Sequence, residues 1–184
     1  CTVTATDTDG GSASGAESIT VLNTDPTVSS VAITSSTGTV KVGAELTCSA
    51  GATDADGDTP SLTYAWTNGG ASVGSSASYT IAASDDPGDT LTCTATASDP
   101  DSGSDSGADS VTVLNTDPTV SVTLSSSTGS SGVGAVLTCD AGADDVDGGT
   151  PSVAYSWTNG STSVGSSASY TIATSDDPGD TLTC

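Results

Sequence analysis

The chain lacks almost every side chain that carries positive charge or large apolar volume. It contains no Phe, Met or His, and Lys41 is its only basic residue against 23 acidic ones, so its 184 residues carry a formal net charge of -22. Such a charge repels phosphate backbones and anionic lipid surfaces, and no nucleic-acid partner is expected. With two Trp and four Tyr as the only large rings, any core must be thin and built mainly from small aliphatic side chains.

The same absences argue against catalysis and against a membrane span. Without His or Arg, the usual general bases and the usual clamps for oxyanions and phosphates are missing. The carboxylates lie in Gly-rich turns, whereas acid and base pairs need an enclosed cleft that raises one pKa. No apolar run reaches the length of about eighteen residues that a membrane helix needs. We therefore expect no enzyme, no catalytic residues and no membrane span in this segment.

What the chain does contain is an internal repeat. Residues 18–28 return almost unchanged as residues 110–120, and residues 74–82 return unchanged as residues 165–173. A period of about 91 residues is too long for a solenoid unit and suits a whole small β domain. Within one repeat, short alternating runs bounded by Gly, Asp, Pro and Ser predict strands at 27–35, 44–50, 62–67, 78–82, 90–98 and 109–114.

Cysteine and tryptophan share one spacing in both repeats. Cys48 and Cys93 are 45 residues apart, Cys139 and Cys184 are also 45 apart, and Trp66 and Trp157 each follow the first cysteine of a pair by 18. Arithmetic alone leaves two pairings open, one within each repeat and one that joins Cys1 to Cys48 and Cys93 to Cys139. This frame resembles the immunoglobulin superfamily, in which a disulfide between strands B and F packs on a Trp of strand C.

The resemblance implies an all-β chain of tandem immunoglobulin-like β-sandwiches joined end to end. Each domain would have one B-to-F disulfide, formed by Cys48 with Cys93 and by Cys139 with Cys184, and Trp66 and Trp157 would lie in the cores. Leu91 stands where the family's tyrosine corner would place a Tyr. This departure makes an antibody-type domain a poorer match. Residues 6–14 (Thr-Asp-Thr-Asp-Gly-Gly-Ser-Ala-Ser) are more similar to PKD-like repeats of large bacterial or archaeal cell-surface or extracellular filament proteins.

The resemblance also divides the chain. Residues 1–24 would be strands F and G of a preceding repeat, residues 25–116 a complete repeat, and residues 117–184 a repeat that lacks its final strand. We expect the chain to be a window of a longer periodic polypeptide, with the partner of Cys1 upstream or Cys1 as a free thiol. Disulfides in every repeat indicate an oxidising compartment, hence an extracellular or cell-surface location.

Acidic loops suggest a calcium hypothesis. The predicted loops B–C and F–G share one end of a sandwich, which also receives the linker, and carboxylate oxygens suit calcium. The candidate ligands are Asp25, Asp54, Asp56, Asp99 and Asp101 at the first junction, and Asp117, Asp145 and Asp147 at the second. The structural alternative is that Asp and Gly simply form turns. For the repeated acidic corner at residues 85–89, a Pro-Gly turn is the preferred explanation.

Two functions are compatible with these features. The predicted strand G runs through residues 113–120 into the next strand without a Gly and Ser linker, and Pro118 restricts the junction. This favours a semi-rigid structural shaft of an extracellular filament or cell-surface stalk, with neighbouring copies of the repeat as partners. The alternative is an adhesin or carbohydrate-binding surface module, but a sugar site needs exposed aromatic platforms.

Overall fold

The structure, a computed structural model that describes residues 1–184, is all-β. No helix occurs, and so none could span a membrane. Its fifteen strands are β1 (Thr2–Thr6), β2 (Ser12–Ala16), β3 (Thr27–Ser35), β4 (Glu45–Thr53), β5 (Ser61–Asn68), β6 (Ala71–Gly74), β7 (Ser78–Thr80), β8 (Thr90–Ser98), β9 (Ser104–Thr112), β10 (Thr119–Ser126), β11 (Val136–Asp144), β12 (Trp157–Asn159), β13 (Thr162–Gly165), β14 (Ser169–Thr171) and β15 (Leu182–Thr183).

The first repeat is built from two antiparallel sheets that share one core. Strands β3, β4 and β7 form one sheet, and β6, β5, β8 and β9 form the other. Alternate residues of β4 and β8 are buried, as the period of a strand with one covered face requires. Between the sheets lie the side chains of Leu46, Trp66, Ile81 and Leu91, each at most 1% exposed. The arrangement is consistent with a β-sandwich.

Two disulfides join strands across these cores. Cys48 of β4 is bonded to Cys93 of β8 with an S–S distance of 2.08 Å, and Cys139 of β11 is bonded to Cys184. The pairing within repeats is therefore confirmed, and the pairing across repeats is wrong. Cys1 is exposed and has no disulfide partner.

In the first repeat, strand β9 lies along the side of β3 that does not pair with β4. Asp105 Oδ2 accepts a hydrogen bond of 2.8 Å from the backbone N–H of Val28, and Asp109 Oδ2 accepts one of 2.9 Å from that of Ile33. The register between β3 and β4 shifts between Ser29 and Ala32, which marks a bulge. The bulge interrupts pairing with β4, while the carboxylates of β9 satisfy N–H groups of β3 from the other side.

The second repeat has the same core but leaves part of it open. Its sheets are β10, β11 and β14, and β13, β12 and β15, around Leu137, Trp157 and Ile172. No strand lies over β10, all but the last of whose residues are exposed. Residues 152–156, the counterparts of residues 61–65 in β5, form no strand because no neighbouring strand is there to pair with them.

Strands β1 and β2 form a separate antiparallel hairpin whose ten residues are all exposed. It contributes nothing to either core, since both clusters of buried side chains begin after it in the chain.

The predicted strands at 27–35 and 90–98 are confirmed to the residue. The strand predicted at 109–114 is present, but its bounds are wrong, because β9 begins at Ser104 and ends at Thr112. Its first half reads as a Gly, Ser and Asp loop, but pairing with β8 makes it a strand. Residues 113–118 consequently form no strand, so strand G does not run directly into the next repeat. The short strands β6 and β13 were not predicted.

Candidate functional site at the repeat junctions

The first linker is held by carboxylates from two loops of the repeat that follows it. Asp56, in the loop between β4 and β5, accepts a 2.7 Å hydrogen bond at Oδ2 from the backbone N–H of Thr24. Asp99, directly after β8, accepts a 2.9 Å bond from Asn23 Nδ2. Pro26 is buried, although the residues before it are exposed. The loops predicted to meet the linker therefore do so, and their carboxylates act as hydrogen-bond acceptors.

The second junction repeats the main contact. The backbone N–H of Thr116, the counterpart of Thr24, donates a 2.5 Å hydrogen bond to Asp147 Oδ2. Asp147 is 4% exposed, and its own N–H donates to Asp145 Oδ1 at 3.0 Å. In the same loop, a Cβ built on Gly148 would lie 3.2 Å from the backbone oxygen of Ala83, which belongs to the preceding repeat. Consecutive repeats thus touch beside the linker.

Gly103 shows how closely the first linker approaches the loop after β8. A Cβ at this position would lie 2.3 Å from Asp99 Oδ2, 2.7 Å from Asp25 Oδ1 and 2.8 Å from Asn23 Nδ2. No side chain fits there without displacing these groups. The structure therefore brings Asp25 and Asp99 together, as the sequence predicted.

Hydrogen bonding and repulsion act on different carboxyls of this junction. The pKa of Asp99 is lowered, first by the hydrogen bond from Asn23 and then by backbone N–H groups, above all that of Gly103. The pKa of Asp58 is raised, first by loss of solvent and then by surrounding carboxylates. Those carboxylates are Asp101, Asp54, Asp99 and Asp56. Asp58 thus belongs to the acidic group, although it was not among the predicted ligands.

The arrangement does not form a metal cluster. No group of three or more acidic, cysteine or histidine side chains in residues 1–184 is placed to hold a metal ion. Asp54 Oδ1 and Asp145 Oδ1 each accept the N–H two residues on, whereas Asp101 and Asp117 make no side-chain hydrogen bond. Asp54 Oδ2 and Asp147 Oδ1 are buried without a hydrogen-bond partner. Calcium binding stays a prediction.

A second polar site lies at the acidic corner of each repeat. Asp85, which is 2% exposed, accepts hydrogen bonds from the Tyr79 hydroxyl at 2.7 Å, from the Ala82 N–H at 2.9 Å and from Asn68 Nδ2 at 2.8 Å. Asn68 Nδ2 also donates to Asp89 Oδ2 at 2.7 Å. The second repeat forms the same network with Asp176, Tyr170, Ala173, Asn159 and Asp180.

This corner network is more than the predicted Pro-Gly turn. Tyr79 stacks on Trp66 with ring centroids 5.8 Å apart, so the network holds the ring that covers the core. Burial and the hydrogen bond to Asp85 raise the pKa of Tyr79 to about 12. In the second repeat, the Ala173 N–H, followed by the Tyr170 hydroxyl, lowers the pKa of Asp176. The corner network could have been found in the sequence, because its Asn, Tyr and Asp residues recur in the second repeat with the same spacing.

Neither a protein-family model, nor a curated protein, nor a solved structure matched the chain. Its class therefore rests on its own architecture: an all-β protein with repeated, disulfide-bonded units and carboxylate-held linkers.

Proposed function

We propose that the chain is a structural repeat segment that forms the shaft of an extracellular filament or cell-surface stalk. The observation that carries the proposal is the equivalent hydrogen bond at both junctions, from Thr24 N–H to Asp56 and from Thr116 N–H to Asp147. Repetition of this contact at the same place in the repeat gives every junction the same restraint.

The restraint acts on the linker backbone itself. An N–H bonded to a carboxylate is a charge-assisted contact, and such bonds are stronger than neutral ones. Pro26 and Pro118 fix their own φ angles and bias the residues before them toward extended conformations. The net charge of -22 adds repulsion between repeats, which favours an extended chain. Together these effects support a shaft whose repeats keep a narrow range of mutual angles.

The disulfides support the proposed location. Bonds that link β4 to β8 and β11 to the residue after β15 persist in oxidising compartments, whereas the cytosol keeps most thiols reduced. A core of few large side chains gains particularly from such a cross-link.

The burial of both Trp side chains favours the structural function over sugar recognition. Trp66 and Trp157 are 0% exposed, and each indole N–H donates to a backbone oxygen within its own repeat. They serve the cores and offer no platform for stacking on a sugar. The proposal gives the segment no catalytic role.

A pair of spin labels, one in each repeat, tests the restraint through the distribution of distances between them. The expected result is a narrow distribution that broadens when Asp147→Ala removes the acceptor of the Thr116 N–H. Asp86→Ala, an exposed acid whose side chain accepts no hydrogen bond, is the matched control and should leave the distribution narrow. A broad distribution in the unmodified chain would overturn the proposed shaft. Electron microscopy of the producing cells should show fibres that an antibody to this segment decorates.

A further inference from the structure

The acidic corner of each repeat contains a dipeptide that is prone to deamidation. Among the four asparagines of the chain, Asn68 and Asn159 precede Gly, whereas Asn23 and Asn115 precede Thr. An asparagine before a glycine loses its side-chain amide readily, because no Cβ hinders the attack of the glycine nitrogen on the carboxamide carbon. The two labile asparagines are also the two that donate hydrogen bonds within the corner networks.

Both members of the dipeptide in the first repeat are required by the structure. Asn68 pairs with Ala71 across a turn of two residues, and Gly69 begins this turn with a φ of +54°. The positive φ favours glycine there, although nothing lies within 4 Å of a Cβ at this position. Asn68 Nδ2 joins Asp85 and Asp89 through hydrogen bonds of 2.8 and 2.7 Å. The labile dipeptide therefore follows from two separate structural requirements.

The contacts of the corner hold back the groups that would react. Asn68 Nδ2 has two hydrogens, and the carboxylates of Asp85 and Asp89 give each of them an acceptor, so the carboxamide cannot turn freely. The nitrogen of Gly69 is the attacking atom, and its N–H donates to the backbone oxygen of Thr90 at 3.3 Å. The negative charges of the two carboxylates also oppose the approach of hydroxide, which must remove that proton.

We propose that Asn68 and Asn159 are deamidation sites that the corner network protects and that react only when the corner opens. On opening, the Gly69 nitrogen loses its proton to hydroxide and bonds to Asn68 Cγ, the Cγ–Nδ2 bond breaks, and ammonia leaves. Water then opens the five-membered succinimide to aspartate or isoaspartate. The net reaction takes up one water and releases one ammonia. In the second repeat, the Gly160 N–H is held in the same way, by the backbone oxygen of Thr181 at 3.1 Å.

The reaction makes the opening of a corner irreversible. Residue 68 then carries a carboxylate, which has no hydrogen to donate to Asp85 and Asp89. Three carboxylates at a partly buried corner repel one another, so the network cannot form again. An isoaspartate also adds a methylene to the main chain of β5, which breaks its pairing with Leu91 of β8. A brief opening closes unchanged, whereas a lasting one becomes permanent. This inference concerns the durability of each repeat, and its failure would not affect the proposed shaft.

Nuclear magnetic resonance follows the reaction at each site of the intact protein. The chain has four Asn and no Gln, and therefore four pairs of side-chain amide signals. In the folded chain at mildly alkaline pH, all four pairs should persist. In the reduced chain in urea, the signals of Asn68 and Asn159 should disappear well before those of Asn23 and Asn115. Loss of the Asn68 signal at the same rate in the folded and the unfolded chain would overturn the proposal.

Two variants open one corner each and serve as controls for one another. Asp89→Ala should accelerate the loss of the Asn68 signal about tenfold, the effect of one hydrogen bond to a charged group, and leave Asn159 unchanged. Asp180→Ala should accelerate the loss of Asn159 alone. Asp86→Ala, at an exposed position whose side chain accepts no hydrogen bond, should change neither rate. An unchanged Asn68 rate in the Asp89→Ala chain would contradict the protective role of the network.

A core variant distinguishes local protection from general stability. Ile81→Val removes one methylene from a side chain that is 1% exposed and should destabilise the repeat about as much as the loss of one hydrogen bond does. The contacts of Asn68 stay in place in this variant, so its signal should persist as in the unmodified chain. Equal acceleration in Ile81→Val and Asp89→Ala would show that global unfolding alone controls the reaction, and the proposal would fail.

The product itself can be imitated. Asn68→Asp should lower the melting temperature of the first repeat, whereas Asn115→Asp, which adds the same charge at an exposed position, should leave it unchanged. An Asn68→Asp chain as stable as the unmodified one would refute the irreversible step.

Discussion

The buried carboxylate of Asp85 gives the sharpest test of how the first repeat is stabilised. Replacing it with Ala leaves three donors without their acceptor: the Tyr79 hydroxyl, the Ala82 N–H and one amide hydrogen of Asn68. With about 1 kcal/mol for each lost bond, the free energy of unfolding should fall by about 3 kcal/mol. For a domain of this size that corresponds to a melting temperature lower by roughly 15 °C.

The chain provides both a control variant and an internal reference for this measurement. Asp86→Ala, at the neighbouring exposed position, should change the free energy of unfolding by less than about 0.5 kcal/mol. The indole N–H resonances of Trp66 and Trp157 report the two repeats separately in urea titrations, so only the first signal should move in the Asp85→Ala protein. Equal effects of the two variants, or equal shifts of both indole signals, would refute the account of Asp85 as the centre of the corner network.

Three further outcomes follow from the geometry. Reduction of the disulfide in the first repeat should lower the free energy of unfolding by about 4 kcal/mol, because the bond closes a loop of 45 residues. An unchanged melting temperature in a sample whose thiols are shown to be free would contradict this. The pKa of Tyr79 is raised to about 12 in the folded chain, above the value of about 10 in an unfolded chain. The hydroxyl of Tyr79 therefore contributes fully to the free energy of unfolding below pH 10, and this contribution is lost as the pH rises toward 12. Urea titrations at pH 9 and pH 11.5 should show that loss, and Tyr79→Phe should remove it; an identical loss in the Phe variant would count against the tyrosine. Gly103→Ala should accelerate amide hydrogen exchange in residues 23–25 by displacing Asp99, whereas Gly132→Ala, which meets no atom within 4 Å, should leave exchange there unchanged.

The elements that could be predicted from sequence are those set by local pattern and by the cysteine frame. In strand β8 every second side chain is buried and the others are partly buried, except for the exposed Thr90, and its sequence predicts its bounds to the residue. The pairing of Cys48 with Cys93 was implied by the resemblance that the cysteine and tryptophan frame carries, since the spacing alone leaves two pairings open. Strand β9 escaped prediction in part because its first half has the composition of a loop. It is a strand because β8 offers it a complete row of partners.

The sequence predicted where the junction site lies but not what its carboxylates do. Sequence placed Asp56 and Asp99 beside the linker, but it treated them as metal ligands. Only the fold shows that they receive hydrogen bonds from Thr24 and Asn23. The role of Asp85 was missed because its three donors come from separate segments, and only the folded backbone brings them within 3 Å.

The placement of the disulfide limits how far the first repeat can be stretched. A force applied along the chain can straighten only the residues outside the loop that Cys48 and Cys93 close. The 45-residue separation between these cysteines corresponds to roughly 150 Å of extended chain, which cannot lengthen under force while the disulfide is intact. Overstretching such a chain therefore releases about half of each period, and the remainder keeps its length until the sulfur bond is reduced.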